Sequence, residues 1–203
     1  MPESHPAEHQ LDIIAIGASA GGVEAVSDLL RQLPRGLPAT VLVVVHRPSD
    51  RASMLPQILS RTTHLHVATP HGGERLRHGH CLIGTPERHL TIGPDLCVHL
   101  LPDHFYRGHN IDALFTSLAL YAGNRTVGVI LSGLLKDGAL GLKAIKEAGG
   151  AALVQSPGEA AYPDMPRNAI NYGGPIDFIG PIRALAGEVG RLVALVPKIR
   201  LSP

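Results

Sequence analysis

The sequence predicts an α/β fold: a doubly wound, mainly parallel sheet with helices on both faces, three αβα layers in all, and a small antiparallel hairpin at one edge. Three observations predict it. Short β-branched runs such as Thr40–Val45 and Val127–Leu131 are hydrophobic without alternation, as strands buried on both faces must be. Segments with apolar residues at helical spacing alternate with these runs, the order that builds parallel sheets through crossover helices. Between Gly72 and Leu101 the runs are shorter and broken by Gly, Pro and Asp, which is the pattern of hairpins.

Taken in order, Leu11–Ile16 is an apolar run ended by Gly17, and Val23–Leu33 carries Val23, Val26, Leu29, Leu30 and Leu33 at helical spacing. With Thr40–Val45 beyond Pro34 and Pro38, they read as one βαβ unit. Ser53–Arg61 reads as a helix after Pro48, and His64–Ala68 as a short third strand. Gly79–Gly84, His89–Ile92 and Leu96–Leu101 read as an antiparallel insertion or sheet edge. Asn110–Ala122 sets Ile111, Leu114, Phe115, Leu118 and Tyr121 on one helical face, with Asn110 as its N-cap. A strand Val127–Leu131 follows, then a helix Ala139–Ala148 closed by Gly149 and Gly150, and a strand Ala151–Val154. A short helix Met165–Ala169 starts at Pro166, and a final helix covers Arg183–Val196. No repeat or domain-separating linker is present. Residues 1–10 read as a flexible lead, 11–198 as one domain and 199–203 as a tail.

Lys+Arg 18 against Asp+Glu 17 leaves a formal charge of +1, which excludes a basic nucleic-acid binder and a disordered acidic segment. The apolar run Val41–Val45 is far short of the roughly 20 residues that span a bilayer. The first ten residues lack the apolar core of a signal peptide, so no membrane insertion and a cytoplasmic address are expected. Cys81 and Cys97 fit no zinc or redox spacing and read as buried free thiols. The pairs His64-x-His66 and His78-x-His80 put two rings on one strand face without a third ligand at a motif spacing. They read as exposed strand histidines, and neither a metal nor a cofactor is expected. His5, His9, His71, His104 and His109 lie in polar loops.

In open parallel sheets ligands bind at the carboxyl ends of the strands. After the first strand comes Gly17-Ala18-Ser19-Ala20-Gly21-Gly22, whose small residues permit a sharp turn and leave Ser19 at a helix N-terminus. After the second comes His46-Arg47-Pro48. After Val127–Leu131 comes Ser132-Gly133-Leu134-Leu135-Lys136-Asp137-Gly138. Ser19, His46 and Asp137 would meet on one sheet edge as nucleophile, base and orienting acid. The glycine loop is also how a phosphate-binding loop begins, so the residues alone leave open a hydrolase and an anion-binding module. The dinucleotide form lacks its acid, because His46 stands at the end of strand two, and no Gly-Lys-Ser/Thr follows the loop.

The combination of GASAGG, His46-Arg47-Pro48, Val129-Ile130-Leu131-Ser132-Gly133 with Asp137-Gly138, and Met165-Pro166-Arg167 with Ala169-Ile170 resembles the catalytic domain of CheB-type chemotaxis protein-glutamate methylesterases, over about residues 11–190. The resemblance implies hydrolysis of γ-glutamyl methyl esters, and deamidation of certain glutamines, on the cytoplasmic region of chemoreceptor-type proteins. By the same motifs it implies Ser19 as nucleophile, His46 as general base and Asp137 as the residue that orients it. Backbone donors at Ala20, Gly21, Gly22 and Leu134 would hold the oxyanion, and Arg47 and Met165 would line the substrate site. The triad order also differs from that of α/β-hydrolases. The chain departs from the family at Ala20, which replaces a Thr, at Leu134-Leu135, which replaces Met-Gly, and at Arg47, which replaces a Met. The family's motif before the Asn110 helix is only partly matched by Gly108–Asp112. The usual regulatory receiver domain has no counterpart in the ten polar residues before the first strand, so either constitutive activity or restraint by a separate protein is expected.

Overall fold

Every side chain of β1 (Ile13–Ala18) is buried, and their alternation divides the interior in two. Ile14, Ile16 and Ala18 join one apolar cluster and Ile13 and Ala15 the other. The computed structural model describes residues 12–47, 53–102, 108–172 and 174–194. The lead, the tail, Leu11, Pro48, His5, His9, His104 and the last two residues expected of the final helix lie outside them.

β1 pairs in parallel with β2 (Thr40–Val45) on one side and with β7 (Thr126–Ile130) on the other. The sheet extends from β2 to β4 (His80–Ile83) and β3 (His66–Ala68), and from β7 to β8 (Ala151–Gln155) and β9 (Phe178–Gly180). All six pairings are parallel. On the first face lie α1 (Gly22–Gln32), α2 (Leu55–Ser60) and α6 (Ile182–Ala194), through residues such as Val26, Leu29, Leu59 and Val189. On the second lie α3 (Asn110–Tyr121), α4 (Ala139–Glu147) and α5 (Asp164–Tyr172), with the antiparallel pair β5 (Arg88–Ile92) and β6 (Val98–Pro102).

The three-layer sheet and its hairpin are as the sequence predicts, with local differences. Gly17 does not end β1, because it stays in register with Val44 and Ile130. The run Gly79–Gly84 is not part of the antiparallel piece: as β4 it inserts in parallel between β3 and β2, where Cys81 and Ile83 are buried. The hairpin is β5 and β6 alone. Pro166 is the third residue of α5 rather than its first. The three-residue strand β9 escaped the sequence reading, being too short for periodicity to mark. Cys81 and Cys97 are buried free thiols, and burial pushes the Cys81 thiol up to about 12. His66 and His80 face each other across β3 and β4 with ring centroids 4.9 Å apart, while His78 approaches Asp12 at 3.3 Å.

From β1 the chain crosses through α1 to β2, and from β7 it crosses through α4 to β8, in opposite directions along the sheet. The carboxyl ends of β1 and β7 therefore flank a topological switch point, where open α/β sheets place their ligands.

Candidate active site

Ser19 follows β1 directly and is locked from both sides. Its amide donates to the Ser132 carbonyl at 3.0 Å, and the His46 amide donates to the Ala18 carbonyl at 3.0 Å. This extends the register of β1 and β2 by one step and sets Ser19 and His46 on adjacent strand ends, which stand about 4.8 Å apart in a sheet. The turn into α1 needs Gly21, which has φ +68° and lies where a Cβ would come within 2.9 Å of Ser132 Oγ. The Gly22 amide is taken by the Ser19 carbonyl at 2.8 Å. Among the described residues, no acceptor lies against the amides of Ala20 and Gly21, which remain available at the positive end of α1.

His46 Nε2 lies 2.7 Å from Asp137 Oδ2. An ionised carboxylate only accepts, so the ring proton sits on Nε2 and Nδ1 carries the lone pair. Asp137, 3% exposed, also accepts from the amides of Ile111 (2.9 Å) and Asp112 (3.0 Å). The sequence reading gives α3 a local cap at Asn110. Asn110 is instead the first helical residue, His109 stands in the cap position with its side chain toward Asp112 (3.5 Å) and makes no capping bond, and Asp137 caps the helix from another loop. One carboxylate thus fixes both an imidazole and the head of a helix. Ser19 Oγ and His46 are not hydrogen-bonded to each other.

The loop after β7 is held by groups that the sequence did not single out. Buried Gln155, at the end of β8, accepts from the Ser132 amide at 2.8 Å. Ser132 Oγ donates to the Ala20 carbonyl (2.9 Å) and accepts from the Tyr162 amide (3.0 Å). The Gly133 amide donates to Tyr162, and its carbonyl accepts from Met165, both at 2.9 Å. Met165 is only 1% exposed, so it backs Gly133 instead of lining an open surface. Arg47 likewise turns inward, donating to Ser53 Oγ and, at 2.5 Å, to the Gly84 carbonyl. Its burial lowers its pKa, with Glu87 opposing. Leu134 is exposed, and among the described residues its amide has no acceptor.

At Gly133 a Cβ would fall 2.8 Å from Met165 Sδ and Cε and 2.9 Å from Ser19 Cβ. Gly133→Ala is expected to push Ser19 off its position, lowering turnover about 100-fold with a stability loss of about 1–3 kcal/mol. Steady-state rates and a melting curve check both. In the sequence its only signal is the Ser132-Gly133 pair that ends the run Val129–Gly133.

Leu135, where the resemblance implies a glycine, has φ +66°, a left-handed backbone that favours glycine. For a leucine that costs about 1–2 kcal/mol, and the loop shape survives because Asn168 Nδ2 donates to the Leu135 carbonyl at 2.6 Å.

His109 Nδ1, Asp112 and Asp137 place ligand-capable atoms within 4.8 Å of one another, and only this trio among the described residues is so arranged. Its oxygens are already engaged: those of Asp137 as above, and Asp112 Oδ1 by the Gly141 amide at 2.7 Å. Burial raises the Asp112 pKa; the Gly141 bond opposes this and the charge of Asp137 adds to it. A raised carboxyl pKa contributes stability that is complete below the unfolded value of about 4 and is lost as pH rises through the folded value. Asp112→Asn, whose amide can keep the Gly141 bond and donate to Asp137, is therefore expected to be more stable than the parent at pH 7. The gap should close as pH falls toward 4. Urea midpoints across that range test it.

A family model described as CheB methylesterase matches residues 14–189. Among curated proteins the chain is 35% identical over 182 residues to the Pseudomonas aeruginosa "Protein-glutamate methylesterase/protein-glutamine glutaminase 2", covering 87% of this chain and 52% of the relative. It is 35% identical over 172 residues to an Escherichia coli protein-glutamate methylesterase/protein-glutamine glutaminase, covering 82% and 49%. The chain thus spans about half the length of the curated relatives it matches. The crystal structure of the Thermotoga maritima CheB methylesterase catalytic domain superposes with a TM-score of 0.81 at 26% identity, covering 90% of this chain and 98% of that one. Among the described residues, no helix is long and apolar enough to cross a membrane.

Proposed function

Because the chain belongs to the CheB methylesterase family, we propose that it is a cytoplasmic serine hydrolase that demethylates γ-glutamyl methyl esters, and deamidates glutamines, on the cytoplasmic region of chemoreceptor-type proteins. The observation that carries this reading is the His46–Asp137 bond of 2.7 Å at a strand end adjacent to that of Ser19.

Ser19 Oγ attacks the ester carbonyl while His46 Nδ1 takes its proton. The tetrahedral oxyanion is held by the Ala20 and Gly21 amides, with help from the Leu134 amide and the dipole of α1. Asp137 balances the imidazolium, which then protonates the departing methoxide, and methanol leaves. Water, deprotonated by His46, attacks the acyl-enzyme and releases glutamate and free Ser19. With glutamine the leaving group is ammonia.

Methanol release from methylated receptor cytoplasmic fragments tests the reading. Release that follows the amount of protein and is matched by new glutamate supports it. Absence of release from every methylated receptor of the same cell overturns it.

A further inference from the structure

Two residues before Asp137, the chain holds a leucine in a conformation suited to glycine and exposes it. Leu135 is at φ +66° and 74% exposed, so burial returns nothing for the strain. Asn168, from α5, holds the loop in this shape. Exposed Leu134 stands beside it, and exposed Leu140 and Tyr172 line, with the polar His109, Asp112, Lys136 and Asn168, a cavity of about 490 Å³. Across the catalytic turn, the Tyr162 ring lies 3.1 Å from the point a Gly21 Cβ would occupy, and it too is exposed. Other large exposed apolar side chains lie outside this collar, away from the catalytic turn: Met54 and Ile58 at α2, Ile179 on β9, and Leu120 and Tyr121 at the far end of α3, beside a separate cavity of about 330 Å³.

We infer that Leu135 is a specificity-determining residue, an apolar finger that packs on the apolar side chains neighbouring the methyl ester of a protein substrate. The inference rests on the esterase reading and names what that site recognises. A glutamyl carbonyl delivered to Ser19 stands one side chain's length from its own backbone. The substrate residues flanking it must therefore lie over the loops that bracket Ser19, and the surface they meet there is this collar. An uncharged ester among apolar neighbours suits it, and water leaves both faces on binding.

The test compares kcat/KM on a methylated receptor fragment and on a blocked single-residue glutamate γ-methyl ester, for the parent, Leu135→Gly and Leu135→Asn. Glycine and asparagine both accept the left-handed backbone, so the loop keeps its shape, and the glycine variant should melt about 2 °C higher. The expected result is that preference for the protein substrate over the small ester falls at least about 10-fold in both variants, the loss of one buried leucine contact. Unchanged preference in variants of an active parent overturns the inference alone. A parent that hydrolyses neither ester overturns the esterase reading and the inference with it.

Discussion

Ser19→Ala is expected to release methanol about 10⁶-fold more slowly than the parent, and His46→Ala to fall nearly as far, because nucleophile and base act as one unit. For the same reason the double variant should be no slower than Ser19→Ala alone. The alanine leaves the turn intact: Ser19 contributes its backbone amide to Ser132 and its carbonyl to Gly22, and neither depends on the side chain. Melting temperatures should therefore stay close to the parent's while the rate collapses. The Ala20 and Gly21 amides also survive, so a residual rate about 10³–10⁴-fold above water is expected in both variants. Initial rates, with labelling by a serine-reactive phosphonate, decide the matter. A Ser19→Ala protein that keeps a tenth of the parent rate, or still takes up the label, would mean that another side chain is the nucleophile.

The sheet was legible because the runs that build it are unambiguous. Thr40–Val45 is buried at every position, and a run of that kind has no amphipathic alternative. Ser19, His46 and Asp137 could be singled out because each follows a strand, and topology brings strand ends together. His80–Ile83 was misplaced because a run of four residues does not encode its partner. Only its parallel pairing with β2 and β3 distinguishes it from the hairpin runs that follow, which are buried as well. Asn110 resembles a cap because local patterns record only near neighbours, whereas the group that caps α3 lies 26 residues beyond the Ile111 amide it accepts from. Gln155 and Ser132 were invisible as site residues for the same reason: their function is to hold loops that meet only in three dimensions.

Asp137 is where fold and chemistry share one side chain, and two substitutions there should separate them. Asp137→Asn, with its amide nitrogen replacing the Oδ2 that faces His46, keeps the Asp112 amide on Oδ1 and loses the Ile111 amide, so α3 stays half-capped at a cost of about 1–2 kcal/mol. Its amide nitrogen, however, donates. Facing His46 Nε2 it selects the other tautomer, with the proton on Nδ1, and the lone pair that would receive the Ser19 proton is gone. Methanol release is expected to drop about 10⁴-fold. Asp137→Ala removes all three bonds and strands two amides in a place that water barely reaches, since the aspartate is 3% exposed. Each unsatisfied donor costs about 1–3 kcal/mol, so a total of about 3–4 kcal/mol and a melting temperature roughly 10 °C lower are expected. The contrast is the test, because a mere structural role would make rate and stability fall together in both variants. If the asparagine protein keeps its rate within tenfold, the carboxylate caps a helix and nothing more. If it loses the rate while its melting curve falls only about half as far as that of the alanine protein, the same oxygen that ends α3 also dictates which nitrogen of His46 is the base.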